Sequence, residues 1–273
     1  MCFSYISRFV ERLCERRYRS GMMLRGRYKI MRELGMGSYG ITYVAFDKQT
    51  NNQVVIKQMR TIRKKQIKES FLREATILQH LSHPQIPSLY ETFLERGVMH
   101  LVMEYIDGET VESLIFETGK TYTEQEALAV LLRVLEIVSF IHEKGIVHRD
   151  LRIPNILLKN DRVYIIDFGL ARFLGEKTPP EDTYPLEKKL RREIDVKSDI
   201  YALGHFFLFL LYSSYQPDTK EERSWEEELN LSEPVRIMLR KMLQIDEMYR
   251  DSRELIKEIE QTMERWRKDV IVS

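Results

Sequence analysis

The chain has 273 residues, the apolar and charged fractions of an ordinary globular protein, and a formal net charge of +1. That is enough for one large domain or two lobes, with no global attraction to nucleic acid or to an anionic membrane, although local basic clusters are present. Two cysteines, Cys2 and Cys14, form no CxxC pair, so a disulfide scaffold or cysteine-based metal site is not expected and a reducing cytoplasm fits.

Residues 3–19 read as a basic amphipathic helix. Phe3, Ile6, Val10 and Leu13 share one face, and Arg8, Arg12, Arg16, Arg17 and Arg19 cover much of the rest. Such a segment suits an extra packed helix, a weak and reversible membrane-surface contact, or a partner-binding or poorly ordered segment. Arg8, Glu11 and Arg12 interrupt its apolar run, so a secretory signal is not expected. Met22 and Met23 leave a second translation start open. Residues 1–26 are therefore set apart as an N-terminal extension.

From Arg27 to Tyr105 the pattern predicts an antiparallel sheet with one helix. Tyr28–Leu34, Ile41–Phe46 and Gln53–Met59 read as strands, the last two joined by a turn at Asn51-Asn52. Phe71, Leu72, Ala75, Leu78 and Leu81 give the apolar stripe of a helix over 67–81, ended by His83-Pro84. A second hairpin is expected from Tyr90–Leu94 and Met99–Tyr105 around Glu95-Arg96-Gly97.

The remainder is mainly helical. Leu128, Leu131, Leu135, Val138 and Ile141 place a helix over 124–143, with Thr123 and Glu126 as a capping box and Gly145 closing it. Short strands near Ile156–Leu158 and Val163–Ile166 flank a turn at Asn160-Asp161, and helices follow near 198–214, 232–243 and 252–268. The most apolar window, Leu203–Tyr212, is broken by Gly204 and His205 and falls short of the ~18–20 residues of a membrane span.

Four motifs carry chemistry. Gly35-Met36-Gly37-Ser38-Tyr39-Gly40 leads into a β-branched and aromatic run, Thr42-Tyr43-Val44-Ala45-Phe46, rather than into the helix a dinucleotide-binding unit requires. Its glycines let backbone cover a triphosphate without Cβ clashes. Val54-Val55-Ile56-Lys57 follows. His148-Arg149-Asp150 and Asp167-Phe168-Gly169 then set two aspartates seventeen positions apart, with Asn155 between them. One carboxylate to align a hydroxyl, and a second with an amide to hold Mg²⁺, are the parts phosphoryl transfer needs.

In order and spacing these motifs resemble the eukaryotic-type (Hanks-type) Ser/Thr protein kinases, and His83-Pro84-Gln85-Ile86-Pro87 and Asp199-Ile200-Tyr201-Ala202-Leu203-Gly204 look most like their bacterial members. The resemblance covers roughly residues 27 to 260. It implies an α+β, bilobal fold: a kinase domain over 27–268, with a β-rich N-lobe (27–105), a larger helical C-lobe (106–268), and nucleotide in the cleft. It implies Mg·ATP-dependent transfer of the γ-phosphate to protein Ser/Thr hydroxyls, its own included, with Mn²⁺ as an alternative cation. The matching positions put Asp150, Arg152 and Lys57 in catalysis and Asn155 and Asp167 on the metal. ATP would be enclosed by Leu34, Gly35, Met36, Gly37, Ser38, Tyr39, Gly40, Ile41, Thr42, Val55, Lys57, Glu74, Met103, Glu104, Tyr105, Ile106 and Leu157. Lys57 would grip the α- and β-phosphates, held by Glu74, with Glu69 as the competing partner. Phe168 would pack on the helix below Glu74, His148 would order the loop, and Asp199 would support its backbone.

Some positions depart from the family. Thr42 and Val55 stand where Val and Ala are usual, and Arg152 replaces the usual Lys, which is not a neutral exchange. No Ala-Pro-Glu follows Asp167. Pro185-Leu186-Glu187 is the nearest equivalent, so Glu187 is expected to form a buried ion pair with Arg250, with Glu193 the runner-up. Thr178, Thr183 and Tyr184 are candidate autophosphorylation sites, with Arg149 a candidate contact for a phosphate there. Lys188, Lys189, Arg191 and Arg192 form a basic run that reads as a solvated face or a dock for an acidic or nucleic-acid partner. Two other function classes remain open on residues alone: a kinase-like fold acting on a small molecule, and a non-catalytic scaffold. The intact motifs argue against both. Cytoplasmic location, with peripheral membrane contact through 3–19, completes the reading.

Overall fold

The computed structural model describes residues 15–61, 64–177, 185–217, 221 and 223–272. Most of the expected N-terminal helix and Thr178, Thr183 and Tyr184 lie outside them. The chain divides into two compact units, Met1–Ile106 and Asp107–Ser273.

The first unit is built on strands, the central ones buried along most of their length. β1 (Met23–Leu24), β2 (Tyr28–Met36), β3 (Gly40–Asp47), β4 (Asn52–Met59), β5 (Leu89–Glu95) and β6 (Val98–Glu104) form an antiparallel sheet in the order β1-β2-β3-β4-β6-β5. Tyr28, Ile30, Ile41, Tyr43, Val54, Ile56 and Val102 fill one core. A second core, with Met59, Phe71, Ala75, Val98 and Leu101, joins the sheet to α1 (Lys64–His80). The hairpin turns sit where positive φ is tolerated, at Asn51 and at Arg96-Gly97. Residues 15–19 correct the sequence reading. They are not helical, because side chains of the sheet capture their backbone groups: the Arg16 carbonyl accepts from Gln58 and the Tyr18 amide donates to Tyr43.

The second unit is helical around α3 (Glu124–Glu143), whose apolar positions from Ala127 to Ile141 are buried. Its N-terminus carries the expected capping box of Thr123 and Glu126. α3 packs against α5 (Val196–Tyr212), α8 (Ser252–Val272) and β10 (Arg162–Ile165). β7 (Glu109–Thr110) and α2 (Val111–Phe116) precede α3, and β8 (Ile146–Val147), a 3₁₀ turn (Ile153–Asn155), β9 (Ile156–Lys159), β10 and β11 (Arg172–Phe173) follow it. β9 and β10 make a hairpin around Asn160-Asp161, both at positive φ, and β7 adds to its edge. β8 pairs with β11, which holds the chain after Asp167 against the strand leading into His148. α4 (Leu186–Leu190), α6 (Trp225–Glu228) and α7 (Glu233–Met242) complete the unit.

Candidate active site

In the first unit, β2 and β3 converge at the glycine-rich turn, where Gly35 pairs with Thr42 and Met36 with Ile41, and the Gly37 amide donates to the Gly40 carbonyl at 2.9 Å. A Cβ at Gly40 would stand 3.0 Å from the Gln58 carbonyl and 3.1 Å from Lys57 Cγ, so glycine lets β3 and β4 close up there. Around Gly35 the space is open, as a backbone that is to approach a ligand requires. Thr42 lies opposite Lys57, and Val55 opposite Met103. Glu104 returns two contacts from Ser88: its backbone amide donates to the Ser88 carbonyl and its carboxylate accepts from the Ser88 amide. Tyr105 and Ile106 end the unit.

Lys57 Nζ donates to both carboxylate oxygens of Glu74, at 2.6 and 2.8 Å. Both side chains are buried, so each would be costly to leave without the other. Glu74, not the exposed Glu69, faces Lys57. Helical spacing explains the choice: Phe71, Ala75 and Leu78 turn their face of α1 inward, and Glu74 lies among them.

In the second unit, Asp150 lies on the loop after β8. Asn155 Nδ2 donates to both the Asp150 carbonyl and its Oδ2, each at 2.9 Å, and Arg152 Nε donates to Oδ1 at 2.9 Å. That geometry aims Asn155's nitrogen at Asp150 and leaves its carbonyl oxygen as the atom of ligand type. The Ile166 amide donates to the Asn155 backbone carbonyl at 2.9 Å, which ties the loop to the neighbour of Asp167. Leu157, buried in β9, follows two residues on.

Asp199, at the start of α5, organises this loop from below. Its buried carboxylate accepts from the amides of His148 (2.8 Å) and Arg149 (2.7 Å) and from His142 Nε2 (2.9 Å). Burial alone would raise its pKa, but the His142 hydrogen bond, the charges near it and the His148 amide hold it below the usual carboxylate range. His148 is itself driven down by burial, against the pull of Asp199, Asp150 and Asp167. It accepts from the Asp150 amide and meets Phe168 edge-on, with ring centroids 4.7 Å apart, which suits an ordering role.

Arg149 and Asp167 have φ of 66° and 64°, a region that favours glycine, that aspartate tolerates, and that costs a residue such as arginine on the order of 1–3 kcal/mol. Arg149 is held there by the Asp199 bond and by its own guanidinium, which donates to the carbonyls of Arg192 (2.7 Å) and Leu170 (3.3 Å).

Three partners were not anticipated from sequence. Arg192 comes within 3.6 Å of Asp150 Oδ1; it had been visible only as part of a basic run. His142 reaches Asp199 from the last turn of α3, and Glu15 binds Arg60 and Thr61. One expected pair does not form. Glu187 is exposed and binds Arg191 at 2.6 Å, while Arg250 is 85% exposed and turns to Glu254. Each has an oppositely charged neighbour one helical turn away, which wins over a long-range buried pairing.

The sequence matches the family model for the protein kinase domain over residues 28–266. The chain belongs to the protein kinase family. It is similar to the probable serine/threonine-protein kinase YbdM of Bacillus subtilis, 36% identical over 254 residues, which span 92% of this chain and 95% of that protein. It is also similar to the serine/threonine-protein kinase PknA of Nostoc, 30% identical over 73% of this chain but only 39% of that longer protein. Among solved structures, the kinase domain of PF14_0431 matches with a TM-score of 0.64 at 20% identity, covering 77% of this chain and 71% of that one, and supports the fold alone. The protein is thus a Hanks-type serine/threonine protein kinase, with the β-rich and helical parts that this fold class has.

Among the described residues, no group of three or more His, Cys, Asp or Glu could hold a metal ion. Asp167 and Asn155 could supply one carboxylate and one amide, a sparse set of the kind Mg²⁺ accepts when phosphate oxygens and water complete its octahedron. No described helix is long and apolar enough to cross a membrane.

Proposed function

We propose that this kinase transfers the γ-phosphate of Mg·ATP to Ser/Thr hydroxyls of proteins, with Asp150 aligning the acceptor hydroxyl and taking up its proton. The observation that carries this is the fixed Asp150 carboxylate, gripped by Asn155 and Arg152 in a loop pinned to buried Asp199. Lys57, oriented by Glu74, would bind the α- and β-phosphates, beneath a glycine-rich turn from Leu34 to Thr42. Val55, Met103, Glu104, Tyr105, Ile106 and Leu157 would enclose the base and ribose. Asn155 and Asp167 would hold Mg²⁺ or Mn²⁺, which neutralises the β- and γ-phosphate charge. Arg152, whose guanidinium lies on the Asp150 carboxylate, would offer its remaining N–H groups to the transferring phosphate.

A cavity of about 360 Å³ beside Asp150 is lined by Arg149, Arg152, Lys188, Arg191 and Arg192, against the carboxylates of Asp150 and Glu187. That surplus of cations favours an acceptor with acidic neighbours. A cytoplasmic site of action, where ATP is available, fits this chemistry. Incubation with Mg²⁺, labelled ATP and a generic protein acceptor, followed by phosphosite mapping, tests the reading. Label on Ser or Thr is the expected result, and nucleotide binding without transfer would overturn it.

A further inference from the structure

Ahead of the region that matches the kinase family, residues 15–24 lie across the sheet of the first unit and are bound there through buried groups. Glu15 has a fully buried side chain. It accepts from Arg60 Nε at 3.0 Å, from the Thr61 amide at 2.9 Å and from the Thr61 hydroxyl at 2.8 Å. Three residues on, a closed circuit forms. The Tyr18 amide donates to Tyr43 Oη, Tyr43 Oη donates to Gln58 Oε1, and Gln58 Nε2 donates to the Arg16 carbonyl, at 3.2, 3.1 and 2.8 Å. Gln58 and Tyr43 are wholly buried, so the circuit satisfies polar groups that would otherwise be stranded. Tyr18 Oη also meets buried His100 Nε2 at 2.8 Å. Beyond it, Gly21 and Met22 exchange backbone hydrogen bonds with Ile30 and lead into β1.

The attachment points are not scattered. Gln58, Arg60 and Thr61 immediately follow Lys57 at the end of β4. Arg60 in turn touches the glycine-rich turn: its amide donates to the Tyr39 carbonyl at 3.1 Å and its guanidinium lies 3.5 Å from the Ser38 carbonyl. One buried carboxylate therefore anchors, through a single arginine and its neighbour, both the strand that presents Lys57 and the turn expected to cover the phosphates.

We propose that residues 15–24 are an intramolecular clamp on the nucleotide-gripping elements, with Glu15 as the positioning residue that sets Lys57 and the glycine-rich turn through Arg60 and Thr61. This rests on the reading of Lys57 as a phosphate ligand. Without Glu15, Arg60 is released from its buried partner, and the turn and strand end lose their common anchor. Nucleotide binding should weaken while acceptor binding, which the clamp does not touch, stays as it was.

The test uses the full chain with Glu15→Ala, Glu15→Gln and Lys57→Ala. Mg·ATP affinity is measured by calorimetry, KM for ATP and for a protein acceptor are measured separately, and thermal unfolding is followed on the same samples. Glu15→Ala should raise Kd and KM for ATP on the order of tenfold, about one charge-assisted hydrogen bond, and leave the acceptor KM unchanged. Glu15→Gln, which keeps an acceptor oxygen, should fall between it and wild type. If Glu15→Ala does not fold, Glu15→Gln decides by the same criterion. Wild-type ATP affinity in the folded Glu15 variants, alongside a lowered melting temperature, would make Glu15 merely a stabilising residue and overturn the proposal. Normal ATP affinity in Lys57→Ala would instead remove the reading beneath it.

Discussion

Asn155 directs one side-chain nitrogen at two oxygens of Asp150, its backbone carbonyl and its carboxylate, each at 2.9 Å. The carboxylate is thus fixed from within its own loop, five residues away. Asp150→Asn keeps the shape but loses the base, so turnover should fall on the order of 10²- to 10⁴-fold with Mg·ATP affinity retained. Single-turnover transfer and nucleotide calorimetry on the purified variant check this. Retention of more than roughly a tenth of the activity would sink the role given to Asp150.

Lys57 and Glu74 should behave as one unit. Removing either partner strands a buried charge, on the order of 3–5 kcal/mol, whereas removing both should cost clearly less than the sum. Chemical denaturation of Lys57→Met, Glu74→Gln and the double variant measures the coupling. Strict additivity would mean the pair contributes nothing of its own.

Glu187 and Arg250 should show the opposite. Each sits exposed beside its own local partner, so Glu187→Ala and Arg250→Ala should each shift stability by less than about 0.5 kcal/mol and should add. A coupling measurable in the same denaturation cycle would revive the long-range pairing that the structure replaces.

Stability should fall on mild acidification. Burial pushes both His100 and His205 down to about 4, below the ordinary imidazole value they regain on unfolding. The unfolded chain therefore binds more protons between about pH 6.5 and 4. The stability these neutral rings secure is complete above that window and is lost as pH falls through it. Urea midpoints at pH 7.5, 6 and 5 should decrease in that order. A flat profile would contradict the buried neutral state of both rings.

If the cationic cavity reads the acceptor, peptides with Asp or Glu flanking the Ser or Thr should be phosphorylated several-fold faster than peptides with Lys or Arg. Joint reversal of Lys188 and Arg191 to Glu should erase the preference. A peptide array on wild type and this double variant decides it.

What the sequence disclosed was mostly local. Thr123 and Glu126 announce the start of α3 because both halves of a capping box lie within one turn, and Asn160-Asp161 announces its hairpin because both residues tolerate positive φ. The Lys57–Glu74 pair was legible because motif spacing and the inward stripe of α1 agree. The contacts of Glu15 were not. Its partners lie forty-five and forty-six positions away, and the apolar spacing upstream suggested a helix that the sheet's side chains override at residues 15–19. Arg192 was hidden for a similar reason. A run of four cations gives no sign of which one turns toward a carboxylate forty-two positions earlier.

The backbone of Asp167 sits where glycine is most at ease. Asp167→Gly should therefore relax the chain there and leave the melting temperature unchanged or higher, while abolishing transfer. A selection for thermal tolerance alone would accept this substitution and arrive at a sturdier protein with no chemistry.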